Sequence, residues 1–173
     1  MWLHPANRCH EEESLKIIIR PIHETDKEWI DQALIQRWGS TKIVTRGIIH
    51  SANAMPGFIA EVEHRPEGLI TYRLSENACE IISLDSFIPN QGIGGALVQA
   101  VERMAREKRC TRIWLITTND NIHAIRFYQR IGYFFAALHR NAIEASRKLK
   151  PQIPPTGFDG IPIRDELEFE KRF

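Results

Sequence analysis

The chain has 173 residues, 43% hydrophobic and 26% charged, a composition that suits one soluble core and does not suit a membrane-embedded or low-complexity chain. Lys and Arg number 23 against 22 Asp and Glu, so a formal net charge of +1 provides no global field for nucleic acid, and no nucleic-acid partner is expected. One domain over residues 1–173 is expected, with 1–14 as an N-terminal extension.

Met1 to Ser14 contains His4, Arg8, His10 and three consecutive glutamates, without the apolar run of a signal peptide. No later stretch is apolar for the length a bilayer requires, so no membrane partner and a cytoplasmic location are expected. Cys9, Cys79 and Cys110 are odd in number and widely spaced, which points to reduced thiols.

Leu15 to Ile22 reads as a strand closed by Pro21. Thr25 or Asp26 is placed to cap a helix carrying Trp29, Ile30, Ala33, Leu34 and Trp38 and ending before Gly39. Gly57–Glu63, Leu69–Leu74 and Cys79–Phe87 read as an antiparallel meander, joined through Pro66-Glu67-Gly68 and Ser75-Glu76-Asn77. Between Ile81 and Leu84 the apolar residues do not alternate, so that strand is buried on both faces or bulged.

The stretch Asn90-Gln91-Gly92-Ile93-Gly94-Gly95-Ala96-Leu97 follows, where a strand turns into a helix reaching about Lys108. Gly92, Gly94 and Gly95 leave the backbone bare, so successive N–H groups at the helix start can face a phosphate. Ile93, Leu97, Val101, Met104 and Ala105 form the core face of the helix. Gln99, Glu102, Arg103, Arg106 and Glu107 read as a solvated face, with Glu102 and Arg103 each able to meet a partner four residues on.

Arg112 to Thr118 is β-rich and follows a helix, which predicts a parallel crossover. Asn121 opens the next helix and can cap it or reach a ligand. Ala124 is small, Phe127 suits the core, and Tyr128 lies about two turns from Asn121 on the same face. His123 and Arg126 read as surface groups. Phe134–Leu138 is a strand, His139–Leu149 a short helix, Pro151–Pro162 a loop and Ile163–Phe173 a final strand. No zinc spacing and no Walker lysine are present, so neither a metal nor ATP is expected.

Gly92-x-Gly94-x-x-Leu97 opening a helix, then a strand, then Asn121-x-x-Ala124-x-x-Phe127-Tyr128-x-x-x-Gly132-Tyr133 resembles the GCN5-related N-acetyltransferases over roughly residues 57–135. Pro89 is a departure, standing where the usual Arg or Gln begins the phosphate loop. The resemblance implies a mixed α+β fold: a mostly antiparallel central sheet with a splayed parallel pair, Cys79–Phe87 against Arg112–Thr118, and helices on both faces. It implies acetyl-coenzyme A as cosubstrate and a small-molecule or peptide amine as acceptor, with the first helix and the long 151–162 loop on the acceptor side. It leaves a homodimer open.

The cofactor contacts it implies are Leu84 and Ser86 on the strand, then Gln91, Gly92, Ile93, Gly94, Gly95 and Ala96 at the loop, and Asn121, Ala124 and Tyr128 in the second motif. Tyr128 matches the tyrosine that donates a proton to the leaving thiolate; at an ordinary pKa of about 10 it is protonated at neutral pH. Glu80 and Asp85 lie on the central strand, and Glu80 is taken as the base, beside a water relay or an already neutral amine. A domain that binds acyl-coenzyme A without turnover, as a sensor or partner-binding module, is the alternative.

Overall fold

The computed structural model describes residues 16–173, so the extension 1–14 and Cys9 lie outside the described residues. In chain order the elements are β1 (Ile17–Pro21), α1 (Lys27–Trp38), β2 (Lys42–Thr45), β3 (Ile48–Ser51), β4 (Gly57–Val62), β5 (Arg65–Ser75), β6 (Ala78–Ser86), α2 (Ile93–Glu107), β7 (Arg112–Thr118), α3 (Ile122–Arg130), β8 (Phe134–His139), α4 (Ala142–Leu149) and β9 (Glu166–Arg172). Seven strands form one mixed sheet in the order β1-β4-β5-β6-β7-β9-β8, and β2 and β3 form a separate hairpin. Among the described residues the one parallel pair in the sheet is β6 with β7, the pair bridged by α2.

Helices cover both faces. On one, Ile93, Leu97, Val101 and Ala105 of α2 pack over Ala60, Ile70, Ile81, Ile113 and Leu115. Gly68 is what lets the start of α2 come so close, since a Cβ there would stand 2.5 Å from Ile93 Cγ2 and 3.0 Å from Leu97 Cδ1. On the other face Ile30, Ala33 and Leu34 of α1 pack with Ile59, Leu69 and Ile82. α1 ends as expected at Gly39, whose φ of 69° is the left-handed stop. Its start differs from expectation, because Asp26 does not cap it: the Asp26 carboxylate accepts from the His23 N–H at 2.8 Å and from both terminal nitrogens of Arg20 at 2.7 and 2.9 Å.

The meander is present with one turn displaced. The β4–β5 turn falls on Glu63 and His64, with φ of 50° and 63°, the geometry of a tight hairpin turn. Pro66-Glu67-Gly68 lies inside β5 instead, where Glu67 is an extra residue between the pairs Glu61 with Pro66 and Ala60 with Gly68. A second bulge sits in β6: Tyr72 pairs with Ile81 and Thr71 with Ser83, leaving Ile82 as the extra residue. The β2–β3 hairpin was not expected; its turn, Arg46 and Gly47 with φ of 51° and 69°, is an inconspicuous two-residue signal between short strands.

Glu102 also departs from the solvated face. It is 6% exposed and accepts from Lys171 of β9 at 2.9 Å, with Arg106 3.8 Å away. Cys79 and Cys110 are buried free thiols, and burial pushes Cys79 up to about 12. The final strand begins at Glu166, and residues 151–165 cross the molecule as a strap described below.

Candidate active site

β6 and β7 pair from Ala78 with Arg112 to Ile81 with Leu115, and then part. β7 continues on its other side with β9 as far as Thr118 opposite Glu166, while Ile82 to Ser86 have no partner on β7. The result is an opening at the carboxyl ends of a parallel pair, with backbone donors and acceptors available along its β6 lip.

The start of α2 stands beyond the end of that lip. Gly92 is its N-cap residue with φ of 76°, and no side chain caps the helix. First-turn N–H groups, those of Ile93, Gly94 and Gly95, have no carbonyl one turn back within the helix, so they are donors available to an anion. The Ala96 N–H is already taken by the Gly92 carbonyl at 3.0 Å. A Cβ on Gly95 would meet nothing within 4 Å, whereas one on Gly94 would touch the Phe127 ring at 3.5 Å. Ile93 is 1% exposed, its side chain packed into the core beneath α2. Gln91 is exposed, and Pro89, lacking an N–H, adds no donor at the mouth of the loop.

α3 abuts α2 through that Phe127 contact. The Asn121 side chain accepts from the Ala124 N–H at 3.0 Å, so the capping reading holds, and its amide nitrogen stays uncommitted among the described residues. Tyr128 is 5% exposed, edge-on to Tyr133 with centroids 5.5 Å apart and tilted against Phe169 at 6.1 Å. Burial pushes its phenol well above the ordinary range, and the charge of Asp85 adds to this. Among the described residues no group hydrogen-bonds its hydroxyl. His123 and Arg126 are exposed.

On the β6 lip, Leu84 packs into the core beneath α2. The Ser86 hydroxyl donates to the Ile88 carbonyl at 2.8 Å, and its own carbonyl accepts from Arg37 at 2.8 Å. Asp85 turns to the α1 face, where the Trp38 indole N–H donates to its Oδ2 at 2.9 Å. Burial pushes the Asp85 carboxyl up. Glu80 is elsewhere: it lies in the paired part of β6, opposite Trp114, 4% exposed and bonded to Arg73 at 2.6 Å. Burial pushes its carboxyl up as well, against the pull of Arg73. The fold therefore gathers the glycine loop, Leu84, Asp85, Ser86 and α3 around one opening and leaves Glu80 outside it.

The strap joins the two lips. Lys150 donates to the carbonyls of Trp38 at 2.8 Å and Lys42 at 3.0 Å, on the side of Asp85. At its other end Asn119 Oδ1 accepts from the N–H groups of Arg164 and Asp165, both at 2.9 Å, and Asn119 Nδ2 donates to the Pro162 carbonyl at 2.9 Å. Asp120, 3% exposed, accepts from the Phe158 N–H at 3.2 Å, and Phe158 stands edge-on to His123. Trp38, Asn119 and Asp120 were not read as site residues. Their partners lie 38 to 112 residues away in sequence, beyond any local pattern.

Among the described residues no cluster of three or more His, Cys, Asp or Glu could hold a metal, and no helix is long and apolar enough to cross a membrane. A mixed sheet opened at its one parallel pair, with an uncapped glycine-started helix beside the opening, defines the N-acetyltransferase fold class. The chain belongs to the Acetyltransferase (GNAT) family, whose profile matches residues 17–133. It is 46% identical over 156 residues to the Bacillus subtilis (strain 168) protein YdhI, covering 90% of this chain and 98% of that one. Among solved structures, an IAA acetyltransferase from Bacillus cereus ATCC 14579 superposes with a TM-score of 0.72 at 17% identity, over 91% of this chain and 100% of that one. A GNAT family acetyltransferase from Elizabethkingia anophelis, solved with acetyl-CoA bound, gives a TM-score of 0.66 at 19% identity, over 91% and 98%.

Proposed function

We propose that the protein transfers an acetyl group from acetyl-coenzyme A to an amine by direct attack on the thioester. The observation that carries this reading is one juxtaposition: β6 and β7 part beyond Ile81, the uncapped, glycine-started helix α2 follows β6, and the buried Tyr128 lies near enough to the parted strand to feel the charge of Asp85. Acetyl-coenzyme A supplies an activated acetyl group. The N–H groups of Gly92 to Gly95 hold a pyrophosphate against the positive end of α2, and Gln91 flanks them. The backbone edge of Leu84 to Ser86 that β7 leaves free holds an extended amide arm as a neighbouring strand would, with the Asn121 amide and the small Ala124 on the facing helix. Tyr128 gives its proton to the departing sulfur; burial keeps the phenol protonated at neutral pH while making it a weaker acid than an exposed tyrosine. Glu80, ion-paired to Arg73 where the strands are still joined, fixes that joint in this reading.

The test is thiol release from acetyl-coenzyme A in the presence of a panel of small amines and short peptides, with the acetylated acceptor identified by mass. Thermal stabilisation by coenzyme A is measured beside it. Transfer to at least one amine is the expected result. Stabilisation without transfer to any acceptor would reduce the protein to a binding module, and no stabilisation would remove the coenzyme A site itself.

A further inference from the structure

The seven-strand sheet has two edges, β1 and β8, and they are built differently. β1 carries Arg20, ion-paired to Asp26 and Glu61, and stops at Pro21; charge and proline are what keep an edge from pairing. β8 has neither. From Phe134 to Leu138 it reads Phe-Phe-Ala-Ala-Leu, without a charged side chain. Phe134 is 72% exposed, Leu138 56% and Phe135 54%. Among the described residues the backbone of these five bonds to β9 alone, so the outer edge of the strand is free. With an aromatic side chain covering about 150–250 Å² when buried, the exposed fractions leave on the order of 300 Å² of hydrocarbon on one strand. That is more than a third of the roughly 800 Å² each partner covers in a stable pair.

The order of the side chains says what covers it. Phe135 pairs with Phe169 and Leu138 with Leu167, so both point to the α3 side of the sheet although they stand three residues apart. The extra residue Ala136 makes this possible, since regular alternation would send them to opposite faces. Phe134, opposite Glu170, and His139, opposite Glu166, point to the other face. Read outward from the Ala136–Ala137 bond, the strand is therefore alike in both directions: an apolar residue on the α3 side, then a ring on the other. An antiparallel copy, turned about a two-fold axis through that bond, sets Phe135 against the partner's Leu138 and Phe134 against the partner's His139. The small alanines cross where the two backbones come closest.

The neighbouring charges favour a neutral partner. Glu168 is held by Arg112 and His139, and Glu170 by Arg112 and Arg172, so these β9 acids have no charge left for a basic partner. We propose that a second copy of this chain docks on β8, its own β8 antiparallel to the first, so that the two sheets join edge to edge. β8 runs through Asn141 into α4 and then the strap, so in the pair each strap hangs from a strand held on both sides.

Sedimentation velocity of the full chain, from nanomolar to high micromolar concentration, reads the mass against the 20.0 kDa of one copy. The wild type should sediment at twice that value. Phe134→Lys and Leu138→Lys place a charge at exposed positions, and each should weaken the pair at least about tenfold while keeping the circular dichroism of the wild type. The register is read by Ala136→Cys under mild oxidation. It should form a disulfide-linked pair above the wild-type background, whereas Ile18→Cys on the β1 edge should not. A wild type that stays monomeric throughout, or a dimer that neither lysine variant weakens, overturns the proposal. So does a dimer whose Ala136→Cys form links no more than the wild type. If the wild type is monomeric and binds phosphatidylcholine vesicles in a manner that Phe134→Lys abolishes, the patch serves a lipid surface and the second copy is rejected.

Discussion

Gly157 of the strap lies against Asp120 so closely that a Cβ built on it would stand 1.8 Å from Asp120 Oδ2. The contact holds the strap to the β7 lip of the opening, beside the Phe158 N–H bond to the same carboxylate. Gly157→Ala must therefore displace the strap, since the Asp120 carboxylate is buried and has nowhere to yield. We expect a loss of roughly 1–3 kcal/mol, the range for overpacking, read as a melting temperature several degrees lower. The acceptor KM should rise with coenzyme A affinity little changed. A variant that melts with the wild type would mean the strap is held by its other bonds alone.

Gly95 offers a way to separate folding from anion binding. Its Cβ position is open, so Gly95→Asp adds no clash, and an acidic side chain in the first turn of α2 suits the helix dipole. The same charge opposes a pyrophosphate. Calorimetry should show coenzyme A affinity at least about tenfold weaker, or about 1.4 kcal/mol, in a protein that melts no lower than wild type. Unchanged affinity would place the phosphates away from this loop.

Tyr128→Phe keeps the ring among Tyr133 and Phe169 and removes only the hydroxyl. If proton donation limits turnover, kcat should fall about 10²–10⁴-fold at constant coenzyme A affinity. Because burial raises the phenol's pKa, the wild type should show no alkaline fall attributable to Tyr128 up to about pH 10. Steady-state kinetics across pH, with whichever amine proves active, tests both; an unaltered kcat would return Tyr128 to packing alone.

Acid stability has a local source at the start of α1. The two bonds from Arg20, aided by the His23 N–H, hold the Asp26 carboxyl below the usual aspartate range. A carboxyl lowered in the folded state adds stability that is present above its unfolded pKa, about 4, and is lost as pH falls through the folded value. Asp26→Asn should therefore cost stability at pH 7, with the difference from wild type shrinking below pH 4. Denaturant titrations at pH 7 and pH 3 measure it, and a constant difference would assign the effect to hydrogen bonding rather than charge.

How much of this was legible in the chain depends on the range of the interaction. The glycine run and the Asn121 to Tyr133 segment are local patterns, and the start of α2 and the cap on α3 follow from them, whereas the parting of β6 from β7 was implied only by the family resemblance those patterns carry. Broken alternation between Ile81 and Leu84 left burial on both faces or a bulge open, and a bulge is there. Pro66-Glu67-Gly68 misled because turn-forming residues also serve inside a strand, where Gly68 admits Ile93 and Glu67 bulges. Glu102 misled for a different reason: a carboxylate's surroundings are set by the partner across the fold, here Lys171, and single-helix periodicity carries no trace of it, any more than single-strand periodicity carried a trace of the Arg73 that pairs with Glu80.

The extra residue in β6 acts as a phase inverter. Were Ile82 pleated regularly instead of bulged, the strict two-residue alternation that puts Ile81 beneath α2 would send Ser83 and Asp85 to that same side and turn Leu84 to the other. With the bulge, Leu84 faces the α2 core and Asp85 meets Trp38. One bulged backbone unit thus selects which chemistry, hydrocarbon or carboxylate, looks out on each side of the sheet; drawing Ile82 into the regular pleat would exchange them along the remainder of the strand, whereas deleting it would leave them where they are.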